Sequence, residues 1–487
     1  MLPTLHNLKK GRTGTSNRFW LRHYDVATGS AAAAVFGGLL IASAPNASAQ
    51  TLTQALAEAY NTNPQLLAQR ALLRATDEQV PQALSGWRPT VNFTGQVGGN
   101  RGAFTSTLTS GKDQSEYSTF FSNSVALQVT QSIYSGGRTV AQTRQAMNTV
   151  DSTRAQTLAI ETSVFQAVAM AYLDVVRDQA LVEVDRNNVQ VLRKQLEATQ
   201  DRFRVGEVTR TDVAQAEASL AQGQGTLITA EGTLAQSRAE YVRTVGRQPG
   251  VLILPRDRPT LPATREEALA LAANNNFNVI SANFAQLAAR DNIDVVRSQL
   301  LPQVSLVGNV QRLFAPSVTL SGSRENLASI NAQMTWSLYE GGAIYSQTRQ
   351  AEQTVGQRLS QVDDARRASV QTTENAWETL KAARASIASF AAAVRAAQIA
   401  LEGIQQEALV GTATTLDVLI QNQTLLTTQQ QLIVAEHDAA LAEYNVAAGT
   451  GRLIAADLHL PVQLYDMERH FNVVRDKWKG FRGGLSQ

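Results

Sequence analysis

The sequence predicts an α+β chain in which the strands of a transmembrane β-barrel continue into very long coiled-coil helices, with two structural repeats per chain. Three observations predict it. The chain repeats itself: Ser132-Ile133-Tyr134-Ser135-Gly136-Gly137 returns as Ser337-Leu338-Tyr339-Glu340-Gly341-Gly342, 205 positions later. Val205-Gly206 returns as Val410-Gly411, and Gly246-Arg247 as Gly451-Arg452, at the same offset of 205. Upstream, Ala55-Leu56-Ala57 matches Ala268-Leu269-Ala270, and Arg88-Pro89 matches Leu301-Pro302, both at 213. The change of offset falls between Pro89 and Ser132, so a loop there differs in length between two otherwise equivalent units. The other two observations are a strand-like period of two in four segments and a heptad period in two long ones.

Taken in order, the elements begin with a leader. Lys9, Lys10, Arg12, Arg18 and Arg22 precede a small-residue apolar run, Ala31 to Ala44, and Ala47-Ser48-Ala49 fits a signal-peptidase site. Residues 1–49 are therefore expected to be a signal peptide with Gln50 as the first mature residue, a retained anchor being the alternative. Residues 50–250 form the first repeat, 251–262 a linker in a proline-rich stretch, 263–460 the second repeat, and 461–487 a basic C-terminal tail expected to be mobile. Each repeat opens with short helices, Leu52 to Ser85 broken at Asn63-Pro64, and Arg265 to Gln299 broken at Asn274-Asn275-Asn276.

Strands are expected at about 88–99, 124–135, 303–313 and 329–340. In the second, Val125, Leu127, Val129 and Ile133 share one face, and Gln128, Thr130 and Ser132 the other. In the fourth, Ile330, Ala332, Met334, Trp336 and Leu338 oppose Asn331, Gln333, Thr335 and Ser337. Such alternation also occurs in soluble sandwiches, but about ten residues is the length of a tilted membrane-spanning strand. Arg101–Asn123 and Phe314–Leu327 are expected to be external loops, the first rich in Ser, Thr and Gly.

Long helices are expected at about 138–205, 212–246, 343–410 and 415–450. From Arg138 to Phe203 there is neither glycine nor proline, which allows a helix on the order of 100 Å. Val168, Val175, Val182, Val189, Leu196 and Phe203 recur every seven residues, as do Leu380, Ile387, Val394 and Leu401, which is a coiled-coil period. No other segment is expected to be a membrane helix.

Composition narrows the function. The 43 basic and 41 acidic residues give no global attraction to nucleic acid. The absence of cysteine excludes disulfides and thiol catalysis. His437, His459 and His470 lack metal-ligand spacing, and no phosphate loop or Ser/His/Asp constellation is present, so neither an enzyme nor a cofactor is expected. Four strands cannot close a barrel, and lipid does not tolerate an open sheet edge. Copies must share one barrel: two would give eight strands with a side-chain-filled interior, three would give twelve with a lumen. The turns from Tyr134 to Gly136 and Gly137, and from Tyr339 to Gly341 and Gly342, are the expected barrel-to-helix hinges, with tyrosines suited to a membrane interface.

From about Thr51 to Leu460 the chain resembles the TolC family of outer-membrane export ducts, particularly its type I secretion branch. The resemblance rests on Asn63-Pro64, the Arg-Pro and Leu-Pro strand starts, Tyr-x-Gly-Gly twice, Arg202-Phe203-x-Val205-Gly206 and Val410-Gly411-Thr412. It implies a homotrimer with a 12-stranded outer-membrane barrel, contacting lipid, continued by a periplasmic α-helical barrel. It also implies passive export of small toxic molecules or proteins, powered by an inner-membrane RND or ABC transporter through a periplasmic adaptor. By the same resemblance the periplasmic entrance lies at the helix–helix turns, with Asp417 ringing it and Asp212, Ile420 and Arg210 as further candidates. A ring of three Asp417 carboxylates would raise at least one pKa. Thr414-x-x-Asp417 and Thr209-x-x-Asp212 also read as helix-capping boxes, and the two roles are compatible. Ile420 stands where some members carry a second acid, and Ala408 and Ala413 stand where some carry a latch of tyrosine and arginine, so those devices are not expected here. Val205, Gly206, Glu207, Val410, Gly411 and Thr412 match tips that dock an adaptor, although glycine there also fits a helix C-cap. The competing reading is a trimeric coiled-coil surface fibre with a barrel anchor. It places one stalk before one terminal anchor, whereas here the strands come in two separated pairs.

Overall fold

A computed structural model describes residues 50–255, 257–314 and 323–481. The expected signal peptide and part of the second external loop lie outside the described residues. The first repeat contains α1 (Leu52–Thr62), α2 (Pro64–Asp77), α3 (Gln79–Leu84), β1 (Thr90–Thr107), β2 (Asp113–Tyr134), α4 (Arg138–Arg204) and α5 (Arg210–Val245). The second contains α6 (Arg265–Asn275), α7 (Phe277–Arg297), β3 (Gln303–Phe314), β4 (Arg324–Thr335), α8 (Ala343–Leu409) and α9 (Thr415–Gly449), and a last helix, α10 (Arg469–Val474), follows.

The strands form one antiparallel sheet in the order β1-β2-β3-β4, so β2 and β3 join the two repeats and β1 and β4 are its edges. Directly paired residues share a face. Phe93, Leu127, Val310 and Ala328 lie in one row, beside Val91, Val129, Gly308 and Ile330. The opposite face carries the row Asn92, Gln128, Asn309 and Ser329. Neither face has a core against it: Phe93 is 72% exposed and Ile330 78%. A sheet that is apolar on one side, polar on the other and unpaired at both edges matches lipid outside and water inside.

The expected external loop Arg101–Asn123 is a correction. β1 and β2 stay paired out to Thr107 and Asp113, leaving only a short turn, while pairing of β2 with β3 stops at Asn123 and Phe314. About ten residues of hairpin therefore project beyond the four-stranded part, roughly 30 Å at strand rise. Period two disappears from the sequence of this extension although the ladder continues.

Each repeat turns from strand to helix through paired glycines with positive φ, Gly136 and Gly137 (65° and 82°), then Gly341 and Gly342 (62° and 82°). At Gly136 a Cβ would lie 2.5 Å from the Ser298 carbonyl oxygen, so close approach demands glycine as well. At Gly341 nothing lies within 4 Å.

The core sits where α1, α2, α4, α5 and α9 meet the linker, around Tyr60, Phe165, Tyr172 and Tyr241. The Tyr172 hydroxyl lies 2.8 Å from both the Gln50 and Ile253 carbonyls, tying the linker to the barrel of helices. Equivalent asparagines cap α2 and α7 and bind the facing helix end: Asn63 donates to Thr244 O at 3.1 Å and Asn276 to Gly449 O at 3.1 Å. The long helices are not equally covered. Both have 67 residues, but α4 buries 24 and α8 only 10: α8 packs against α6, α7 and α9 and leaves its other faces open.

Two further expectations change. Both α4 and α8 contain an 18-residue window apolar enough by composition to cross a membrane. In α4 that window is mostly buried, and the helix runs on with polar rows well past a bilayer's thickness. The tail, expected to be mobile, folds back on the first repeat as far as Trp478. His470 Nδ1 lies 3.1 Å from the buried Asp77 carboxylate, Phe471 and Tyr465 take the guanidinium groups of Arg154 and Arg70 on their faces, and Val474 is buried. Aromatic and ionic contacts with α2 and α4 hold the segment that its basic composition alone left unassigned.

Candidate functional site

The sequence points to the two tips where α4 turns into α5 and α8 into α9, and these tips are built alike. α4 ends in a Schellman motif: Glu207 N donates to Arg202 O at 2.9 Å and Gly206 N to Phe203 O at 3.0 Å, with Gly206 at φ 85°. α8 ends likewise, Thr412 N donating to Glu407 O at 2.9 Å with Gly411 at φ 83°. A Cβ on either glycine would meet nothing within 4 Å, so inside the chain only the backbone angle requires glycine. The flanking valines are another matter: Val205 is 73% and Val410 76% exposed, and Leu409 beside the latter is equally open. A C-cap does not need apolar side chains in water. Glu207 is held by Arg202, 3.1 Å away.

The next helix of each tip starts from a full capping box. Thr209 N donates to Asp212 Oδ2 at 2.8 Å and Asp212 N to Thr209 Oγ1 at 3.3 Å. Thr414 N donates to Asp417 Oδ2 at 2.9 Å and Asp417 N to Thr414 Oγ1 at 3.2 Å. Hydrogen bonds from the threonine hydroxyl and amide hold each carboxyl below the usual carboxylate range. Within one chain this is opposite to the rise expected from a crowded ring, and both acids are ionised caps. Ile420, one turn on, is exposed, as is Arg210, which makes no ion pair among the described residues. Ala408 is buried and Ala413 half-buried.

Sequence reasoning missed a polar ladder that pins α9 to α4. Asn422 donates to Asn188 at 2.7 Å, Gln430 to Asp185 at 2.7 Å, and Gln166 to Asn445 at 3.3 Å. Between them His437 Nε2 lies 3.0 Å from Asp174, at ion-pair distance. Burial pulls the His437 pKa down, but Asp174 and Asp438 outweigh it and leave it above the ordinary histidine value. Asp174, raised by burial but lowered more by His437 and Arg177, ends below its ordinary value. The seven-to-eight-residue spacing of 422, 430, 437 and 445 was the available signal, hidden because each residue alone reads as a solvated helix position.

Known proteins share this fold. The family described as outer membrane efflux protein matches residues 52–247 and 268–452, one match for each repeat. The chain is 34% identical over 453 residues to the outer membrane efflux protein BepC of Brucella suis biovar 1 (strain 1330), covering 93% of this chain and 96% of that protein. It is 25% identical over 431 residues to the outer membrane protein TolC of Escherichia coli (strain K12), covering 84% of each. The Campylobacter jejuni CmeC outer membrane channel has the same fold, with a TM-score of 0.73 at 15% identity, covering 87% of this chain and 89% of that one. With both repeats matched and a relative at 34% identity nearly end to end, the chain belongs to the outer membrane efflux protein family, channels whose barrel lies in the outer membrane and whose helical tunnel extends into the periplasm.

Proposed function

We propose that three copies of the chain form one passive export duct, with a shared 12-stranded barrel and a tunnel of α4, α5, α8 and α9 ending at the two tips. The observation that carries this is the four-stranded sheet with an apolar face, a polar face and two unpaired edges. Lipid does not tolerate free strand edges, so β4 of one copy must pair with β1 of the next. Three copies leave a lumen where two would fill it. The polar row Asn92, Gln128, Asn309 and Ser329 then lines the lumen, without charges that would select one cargo. Small toxic molecules and secreted proteins are both suitable cargo.

The energy comes from an inner-membrane RND or ABC transporter through a periplasmic adaptor that docks on the apolar tips at Val205–Glu207 and Val410–Thr412. Val205 and Val410 supply the exposed contact, and the cap glycines hold the tips in shape. Asp417, with Asp212 and Arg210, sets the charge of the entrance, and Ile420 its apolar constriction. Single-channel recording of the purified protein in planar bilayers tests the reading. Small cation-selective openings that lose their cation preference in Asp417→Ala support it. A verified trimer that makes no channel refutes the duct, and unaltered selectivity in Asp417→Ala moves the entrance charge elsewhere.

A further inference from the structure

The chain enters the fold at one buried residue. Gln50, the expected first residue after Ala47-Ser48-Ala49, is 4% exposed. Its backbone N–H donates to Val251 O at 3.1 Å and its carbonyl accepts from the Tyr172 hydroxyl at 2.8 Å, so it bridges in parallel to Leu252 of the linker. Directly after it Thr51 caps α1, Thr51 N donating to Gln54 Oε1 at 3.2 Å and Gln54 N to Thr51 Oγ1 at 3.3 Å. The backbone is therefore pinned on both sides of the Gln50 carbonyl. The side chain is not provided for in the same way. Both Gln50 Nε2 and Gln50 Oε1 are buried, and neither has a hydrogen-bond partner. No other asparagine or glutamine among the described residues has both ends of its amide buried and unpaired. A buried primary amide without partners is costly, and native structures seldom keep one without a reason.

Cleavage after Ala49 adds a second difficulty. It turns the Gln50 N–H into an α-ammonium, mostly protonated at neutral pH, with more donors than the acceptor Val251 O can satisfy. Burying an unpaired charge costs more than burying the amide. One reaction of the residue with itself removes both problems. We propose that the mature chain begins with pyroglutamate, formed from Gln50. The unprotonated α-amine attacks the side-chain amide carbon and closes a five-membered lactam. The bond from that carbon to Nε2 breaks, and the leaving nitrogen takes a proton from the attacking amine and departs as ammonia. No oxidant, reductant or second substrate enters. The lactam keeps one N–H, which is what Val251 O accepts, and the Gln50 carbonyl stays on Tyr172. The charge and the unpaired NH2 group are gone, and one unpaired carbonyl oxygen remains. Because the closure is intramolecular, it needs no access to the folded core and can precede folding. Gln50 is thus a modification site that neutralises the chain end where it packs on the linker between the repeats.

The inference rests on cleavage after Ala49, so the test reads the position and the chemistry of the chain end together. The full chain is produced with its leader, the cells are lysed directly into cold denaturant, and the N-terminal peptide is read by mass spectrometry. The expected result, in nearly all molecules, is a peptide that starts at residue 50 and is lighter by one ammonia than the unmodified sequence. Pyroglutamyl aminopeptidase is expected to release that residue from the unfolded protein but not from the folded one, where the ring is buried. Gln50→Asn is the control: closure there would need a four-membered ring, so its peptide keeps a free amine that an amine-directed reagent labels. A wild-type peptide that starts at Gln50 with a free amine overturns the proposal and leaves the cleavage site standing. A different first residue overturns both. Cyclisation that is absent at lysis and appears only during storage is handling chemistry and also overturns the proposal.

Discussion

At Asp417 two roles overlap in one carboxylate, and a neutral isostere separates them. Asn at this position keeps an oxygen for the Thr414 amide and hydroxyl but removes the charge, whereas Ala removes both. Asp417→Asn is therefore expected to lose cation preference while the first turn of α9 keeps its amide hydrogen-exchange protection, and Asp417→Ala to lose both. Equal fraying in the two variants would reduce Asp417 to a cap. The sign of its titration is equally specific. The capping box depresses the pKa, so the charge and its stabilising contacts are present above the unfolded value and are lost as pH falls through the lower folded one. Cation selectivity that fades well above pH 4, about the ordinary aspartate value, would thus reveal repulsion between carboxylates of neighbouring copies. Gly411 offers a similar separation. Its φ of 83° suits Asn far better than Ala, which costs about 1–2 kcal/mol there. Gly411→Asn is expected to fold normally, so loss of adaptor co-purification in that variant would show that the tip needs a bare backbone and not just a left-handed turn. The threonine–aspartate boxes and the cap glycines were legible in the sequence because capping is local. The exposure of Leu409 was not, since it depends on where the helix happens to stop.

Among the elements, α9 has an attachment that depends on pH. His437 faces Asp174 and Arg177 of α4 and its own neighbour Asp438. A histidine whose folded pKa is raised contributes stability that is fully present below about 6.5, its unfolded value, and is lost as pH rises through the folded one. Asp174 works from the other side, its contribution being lost only as pH falls through a depressed pKa. The pair therefore holds α9 to α4 most firmly in mild acid. Thermal unfolding of the solubilised protein is expected to show a smaller loss of Tm between pH 5.5 and pH 8.5 in His437→Gln than in the wild type; an identical loss would place the pH dependence elsewhere. The heptad row that predicted α4 is core as far as Val189, Val168, Val175, Val182 and Val189 all being buried, and it opens toward the tip, where Leu196 is half-buried and Phe203 exposed. The ladder of Asn, Gln and His beside them escaped notice because a polar residue in a coiled coil signals a partner only once that partner is in place. The strands show the complementary limit: alternation identified the four-stranded part, with its apolar and polar faces, and failed in the hairpin beyond it, where the two-stranded pairing runs on without a period of two.

The duplication makes a prediction for the whole molecule that no single element supports. Contacts that the first repeat makes with the second inside one chain should recur between the second repeat and the first repeat of the next copy, shifted by the same offsets. The asparagine caps show that those offsets map contacts correctly, Asn63 with Thr244 becoming Asn276 with Gly449. A Cβ at Gly136 would meet Ser298 and Leu301, and one at its counterpart Gly341 would meet nothing within 4 Å among the described residues. Shifted by 213, Ser298 and Leu301 become Ser85 and Arg88, which a neighbouring copy would present to Gly341. In the same way Arg144, 3.6 Å from Asp291, maps to Arg349 facing Glu78 of that neighbour. The open faces of α8 are what this mapping requires, since the counterpart of the α4–α7 contact would come from α2 and α3 of another copy. Arg349→Cys combined with Glu78→Cys is accordingly expected to give covalent dimers and trimers on oxidation in membranes, in a chain with no other cysteine. Arg144→Cys with Asp291→Cys should close only within a monomer. If both pairs gave monomers alone, the two repeats would not be quasi-equivalent across the interface, and the ring would have to close through other faces of α8. A ladder that stops at trimer would fix the copy number, and with it the twelve strands, from contacts far below the membrane.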